Sequence, residues 1–165
     1  MPGSCLNSGH NPMVNQYQAA KEQMNFNLVD TIVELEQDHA IVVKDVREDE
    51  SYLADHFPGF PILPGVFMLE VMIQAARKVT ELHGHPRTVL GQVKTLRYGN
   101  LVRPGQSLRV RVELKKTVDD QFDFKGSGQV LATGAADNAD EETAVSGRFT
   151  MRPMKCGPAG TTGQG

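Results

Sequence analysis

One segment restricts the fold more than any other. From Pro64 to His83 the chain reads PGVFMLEVMIQAARKVTELH, apolar on every side and without a helix breaker after Gly65. That pattern predicts a single long helix, buried all round rather than along one stripe. Gly84 would cap it and Pro86 would stop it. At 1.5 Å per residue it would run roughly 30 Å, enough to cross a small domain. A helix apolar on so many sides needs more cover than one small sheet gives, so a partner subunit is expected to supply the rest.

What surrounds the helix reads as strands. Residues 26–36 (FNLVDTIVELE) and 39–48 (HAIVVKDVRE) form a strand pair with a turn near Gln37 and Asp38. After the helix come TVLGQVKTLRYG, QSLRVRVELKKTV, FDFKGSGQVLATG and TAVSGRFTMRP, read as an antiparallel meander. In LRVRVEL the alternation is strict: Val110, Val112 and Leu114 on one face, Arg109, Arg111 and Glu113 on the other. A sheet with one long helix lying across it is an α+β domain. Residues 1–25 read as a partly flexible extension with a short helix over Met13 to Met24, residues 26–153 as the domain, and 154–165 as a disordered tail. The segment AADNADEE (135–142) reads as an acidic loop.

Composition excludes several classes. A chain of 165 residues is long enough for one real core, and its 39% hydrophobic content is that of a soluble protein. The formal net charge of -3 argues against a nucleic-acid binder. Cys5 and Cys156 form no metal or disulfide pattern, so neither metal nor cofactor is expected. His83 and His85 flank the glycine that ends the helix, which explains them better than a metal does. No basic stretch leads into an apolar core at the start, and no apolar run approaches the roughly 20 residues of a membrane span. A cytoplasmic location follows as the expectation.

The chemistry concentrates before and inside the helix. The stretch HFPGFPILPGVFMLE holds three of the chain's nine prolines, Pro58, Pro61 and Pro64. Each proline fixes its own φ and restricts the residue before it, so the path from His56 to the helix is nearly fixed. Glu70 is a carboxylate in an apolar run. Burial there disfavours its charged form and would make it a usable general acid; the alternative is a structural acid bonded to a neighbouring loop. Gly65 and Val66 would present free N–H groups at the positive end of the helix, suited to an oxygen on which charge develops. A base, an acid and an oxyanion site suit proton abstraction beside a carbonyl with loss of a β-leaving group.

The run from His56 to Val66, continued through Glu70 and Gln74, resembles the signature of the 3-hydroxyacyl-[acyl-carrier-protein] dehydratases of the FabZ type, without a gap in spacing. Weaker similarity spans about residues 26–152, including Leu28-Val29-Asp30 and Val102-Arg103-Pro104-Gly105. The chain departs from the pattern at Asp55, where glycine is usual, and at Gln106, where aspartate is usual. The resemblance implies a hotdog fold, a long helix wrapped by a curved antiparallel sheet. It implies that His56 is the catalytic histidine and Glu70 the catalytic carboxylate, contributed by opposite subunits of a homodimer or an assembly of dimers. Gly65, Val66, Phe57 and Gln74 would bind substrate, the Gly65 N–H holding the thioester carbonyl. The activity implied is dehydration of a (3R)-3-hydroxyacyl thioester to the trans-2-enoyl product in fatty acid biosynthesis. A specialised lipid or polyketide pathway, a non-catalytic acyl-binding subunit and a thioesterase are the other readings.

The implied partner is an acidic acyl carrier protein. Between residues 94 and 116 stand Lys94, Arg97, Arg103, Arg109, Arg111, Lys115 and Lys116 against one acid, Glu113. A solvated sheet face explains Arg109, Arg111 and Lys115 as readily as docking does. Arg97 and Arg103 flank YGNLV and are the expected docking residues.

Overall fold

The fold is described from a computed structural model, over residues 27–56, 59–132 and 142–155, with only the backbone of Asp55 and His56. The chain divides into one unit, Leu28–Met154, which holds every element named below, and a second made of Met1–Asn27 and Lys155–Gly165. The extension, its short helix, Phe57, and most of the acidic loop and the tail lie outside the described residues.

The elements in chain order are β1 (Thr31–Leu35), β2 (His39–Asp45), α1 (Ser51–His56), α2 (Gly65–Leu82), β3 (Thr88–Tyr98), β4 (Gln106–Val118), β5 (Gln121–Ala132) and β6 (Glu142–Pro153). The expected first two strands are shorter than the sequence suggests, and residues 27–30 carry no strand. The long helix begins at Gly65, after Pro64, and ends where expected. Gly84 lies at φ +81, and the N–H groups of Gly84 and His85 return to the carbonyls of Glu81 and Thr80 at 3.0 and 2.9 Å. This is a glycine C-cap that satisfies the last turn.

All six strands pair antiparallel, in the order β1-β2-β4-β5-β6-β3. The last three strands make the expected meander. β3 departs from it: it leaves the far end of α2 and docks on the free edge of β6, not beside β4. The strand thereby sits at the sheet edge, and most of its residues are exposed or half-buried.

The core lies between α2 and the sheet. Met68, Val71, Met72, Ala75, Ala76 and Val79 pack against Val42, Leu108, Val110, Val112, Phe124 and Phe149. Leu114 joins this face only in part, because the register slips between Leu114 and Lys116. The helix comes close to the sheet at Gly126, where a Cβ would collide with the end of the Met72 side chain.

The expectation of a helix buried all round does not hold within the subunit. One stripe stays open: Val66 is 66% exposed, Glu81 and Leu82 are exposed, and Glu70, Gln74 and Arg77 are half-buried. The physical reason is geometric. One six-stranded sheet covers one face of a helix, and among the described residues nothing packs on the apolar side chain of Val66 on the other face. Among the described residues no helix is long and apolar enough to cross a membrane.

Candidate active site

Helix α1, which the sequence reading did not anticipate, ends at His56 and is fixed at both its start and its middle. Just before it, Glu50 accepts a hydrogen bond from Lys44 Nζ at 2.8 Å, and the same ammonium reaches Asp30 Oδ2 at 3.2 Å and the Asp45 carbonyl at 2.7 Å. Lys44 is 3% exposed. Burial acts to raise the Glu50 carboxyl, but the ammonium of Lys44 leads the contacts that outweigh it and hold it below its usual range. In the helix itself, Leu53 is buried in the core, and the Tyr52 ring meets Phe67 edge-on at 4.7 Å. The Tyr52 hydroxyl is buried beside the Glu50 carboxylate without forming a well-aligned hydrogen bond. Burial first, then the Glu50 carboxylate, pushes it far above the usual phenol value.

The tract after His56 returns to the fold at Leu63. Gly59 takes the left-handed conformation, φ +82, which glycine adopts without strain. Leu63 is buried, and its N–H donates to the Val102 carbonyl at 2.8 Å. Pro64 then starts α2. Its carbonyl accepts from the N–H groups of Phe67 and Met68, at 2.9 and 3.2 Å. The N–H groups of Gly65 and Val66 have no partner among the described residues, as helix geometry requires of the first turn. They are therefore free donors at the positive end of an 18-residue helix.

Gly65 has a second reason to be glycine. A Cβ there would lie 2.9 Å from the ring of Tyr98, the last residue of β3. The ring covers the start of the helix, and burial raises its phenol above the usual value. Absence of a side chain thus admits Tyr98 as well as leaving the backbone open.

One turn beyond Val66 stands Glu70, its side chain 31% exposed. It is less buried than the apolar run around it suggests, because it lies on the open stripe. Its Oε1 accepts from Gln74 Nε2 at 3.1 Å and lies 3.5 Å from Arg77 Nη1. Gln74 is expected to bind substrate; in this chain its Oε1 also accepts from the Leu28 N–H at 2.9 Å, which ties the helix to the segment before β1.

The basic run resolves into two groups. Lys94 and Lys116 approach Asp123, at 2.7 and 4.0 Å, while Arg111 and Lys115 both bind Glu113, which they hold near a pKa of about 2, Lys115 first. Those four cations are largely occupied within the sheet. Arg97 is exposed beside Tyr98 and forms no ion pair among the described residues. The Arg103 guanidinium lies over the Phe60 ring, 5.5 Å from its centre. Arg103 and Phe60 line a hollow of about 510 Å³ with Glu48, Pro61 and Pro104, which Arg97 does not reach. His83 and His85 pack against Phe122, and His83 Nε2 contacts the Gln37 carbonyl at 2.7 Å.

The structure thus brings Val66, Glu70 and Gln74 onto one helix face, with Gly65 at the first position of the helix, and places the backbone of His56 at the end of α1. Lys44, Arg77 and Tyr98 were not singled out from sequence. For Lys44 a signal existed: it shares the inward phase of β2 with Ala40 and Val42. For Arg77 the spacing of seven from Glu70 and three from Gln74 is a helical one.

The profile of the ApeI-like family, ApeI dehydratase, matches residues 32–135. A 3-hydroxyacyl-[acyl-carrier-protein] dehydratase FabZ from Latilactobacillus sakei is 37% identical over 128 residues, covering 75% of this chain and 85% of the relative. A FabZ from Chloroflexus aggregans is 39% identical over 115 residues, 67% of this chain and 76% of the relative. Among solved structures, the dehydratase heterocomplex ApeI:P from Xenorhabdus doucetiae superposes with a TM-score of 0.59 at 18% identity, covering 78% of this chain and 84% of that one. A hypothetical thioesterase from Streptococcus pneumoniae, solved with coenzyme A, gives 0.56 at 14%, covering 73% and 82%. At such identities the likeness is one of fold.

Proposed function

This chain belongs to the hotdog dehydratases, alongside the ApeI-like and FabZ enzymes, and on that premise we propose how its residues carry out the reaction. The reaction is the dehydration of a 3-hydroxyacyl-[acyl-carrier-protein] in fatty acid biosynthesis. The substrate thioester carbonyl lies at the start of α2, where the Gly65 and Val66 N–H groups polarise it and make the α-proton more acidic. His56 removes that proton. Electrons from the broken C–H bond form the 2,3 double bond, and the C3–O bond breaks. Glu70 protonates the departing hydroxyl, which leaves as water. One proton passing back from the imidazolium to the carboxylate resets the site. Phe57 and Gln74 bound the substrate.

The observation that carries this reading is the pairing of free donors with an acid one helical turn away. Val66 and Glu70 are four apart, on the open stripe of α2. The polar contacts of Glu70 among the described residues are Gln74 and Arg77. This is consistent with a base supplied by a second subunit, as is the apolar residue Val66 left open beside it. We therefore assign the working unit as a homodimer, or an assembly of dimers, with His56 and Glu70 of each site on opposite subunits. The substrate arrives on an acidic acyl carrier protein, and Arg97 and Arg103 dock it at the site's mouth. The enzyme acts in the cytoplasm.

Incubation with crotonyl and longer enoyl thioesters tests the reaction class. Reversible hydration, followed by loss of enoyl absorbance, is the expected result. Release of free thiol without hydration would make the protein a thioesterase instead.

A further inference from the structure

We propose that Arg77 is a positioning residue for Glu70, acting with Gln74 to hold Oε1 so that Oε2 faces the departing hydroxyl. The inference rests on the assignment of Glu70 as the acid. Glutamate has three side-chain torsions, and on an exposed helix face it samples many directions. A proton donor must instead present one oxygen along one line, and small misplacements cost rate steeply.

The contacts on Glu70 fall on one oxygen. Gln74 Nε2 and Arg77 Nη1 both approach Oε1, at 3.1 and 3.5 Å, and Oε2 makes no hydrogen bond or ion pair among the described residues. Each clamping side chain is itself anchored to main chain, one on the segment before β1 and one on the first residue of β3. Gln74 Oε1 takes the Leu28 N–H at 2.9 Å. Arg77 Nε donates to the Thr88 carbonyl at 3.1 Å. That carbonyl is in turn fixed to the helix: the hydroxyls of Thr80 and Thr88 are hydrogen-bonded at 2.9 Å and buried. A planar guanidinium with several fixed N–H groups can hold a carbonyl with one and a carboxylate with another. Lysine, with its single ammonium, is a poorer bridge between the two.

Folding does not account for the arrangement. Arg77 and Glu70 are 37% and 31% exposed, and ion pairs at such exposure contribute little to stability.

The test is a kinetic cycle with Arg77→Met, Arg77→Lys and Glu70→Gln on the full chain, using one short thioester. Arg77→Met should lower kcat about tenfold or more while KM changes less than about twofold, because the contact orients the acid and does not bind substrate. Arg77→Lys should recover part of that loss. The melting temperature should fall by only about 5 °C in Arg77→Met, the cost of one ion pair and one backbone hydrogen bond, and by less in Arg77→Lys. In the Glu70→Gln background, Arg77→Met should cost nothing further, since its effect passes through Glu70. Wild-type kcat in Arg77→Met, or a full additional loss in the double variant, would overturn the proposal. Near-normal activity of Glu70→Gln alone would overturn the wider assignment, and this one with it; a failure confined to Arg77 would leave the wider assignment standing.

Discussion

Replacing Lys44 with methionine removes a buried cation from between two carboxylates, and the structure sets the size of the loss. Breaking a fully buried pair costs roughly 3–5 kcal/mol, because the remaining charge is left without a partner. Here the partners are not equally stranded. Glu50 is 11% exposed and Asp30 30%, and each keeps a backbone donor: the Arg47 N–H at 3.2 Å and the Asp45 N–H at 2.8 Å. The cost should therefore fall below that range, at about 2–3 kcal/mol. For a domain of this size that is a fall of roughly 10 °C in melting temperature. The assay is thermal unfolding by circular dichroism at fixed protein concentration, since association would shift the midpoint. The pH dependence adds a check. Glu50 is depressed in the fold, so its contribution is present above the ordinary carboxylate value of 4.5 and is lost as pH falls through the folded value. That acid limb should flatten in Lys44→Met. Adding Glu50→Leu should recover about 1 kcal/mol, because an apolar pair replaces a stranded charge. A loss under about 1 kcal/mol, or a double variant worse than the single, would refute the view that the cation holds the start of α1.

Three other outcomes are expected. His39 is raised above its ordinary 6.5 by Asp38 first and then Glu34, so its contribution is full below that value and is lost as pH rises through the raised one; His39→Gln should remove that alkaline slope in urea midpoints measured between about pH 5.5 and 9. Arg97→Glu with Arg103→Glu should raise KM several-fold for carrier-bound substrate at low salt and leave a coenzyme A thioester nearly unaffected; equal losses on both would place these arginines in the substrate site or the fold. Mixed His56→Ala and Glu70→Gln subunits should regain activity after exchange, because one site in each heterodimer carries an intact pair; no recovery despite demonstrated exchange would put both residues of a site on one chain.

Much of this architecture was legible because it depends on local pattern. The alternation of Val110 and Val112 announces a half-buried strand, and Gly84 with Pro86 marks the helix end. The signature from His56 to Glu70 is contiguous, so the candidate site could be read from one stretch. What escaped depends on long-range partners. No local rule says that β3 passes β4 to pair with β6, because that edge is chosen by where α2 delivers the chain. Helix α1 is six residues long and held by a lysine in another element, so its own sequence carries little of the signal. Glu70 sits in an apolar run, yet its exposure follows from which side of the helix the sheet covers. Arg77 matters through a carbonyl on β3 that only the folded chain brings near.

The central claim is that a histidine and a glutamate together remove water from the substrate. Single-turnover dehydration of a (3R)-3-hydroxyacyl thioester should be measured for the wild type, His56→Ala, Glu70→Gln and the double variant, with unfolding checked for each. Each single variant should lose about 10²–10⁴-fold or more with its fold intact. The double variant should lose little beyond either, since the pair acts as one device. A folded Glu70→Gln enzyme turning over at near the wild-type rate would contradict it and leave Glu70 a structural acid.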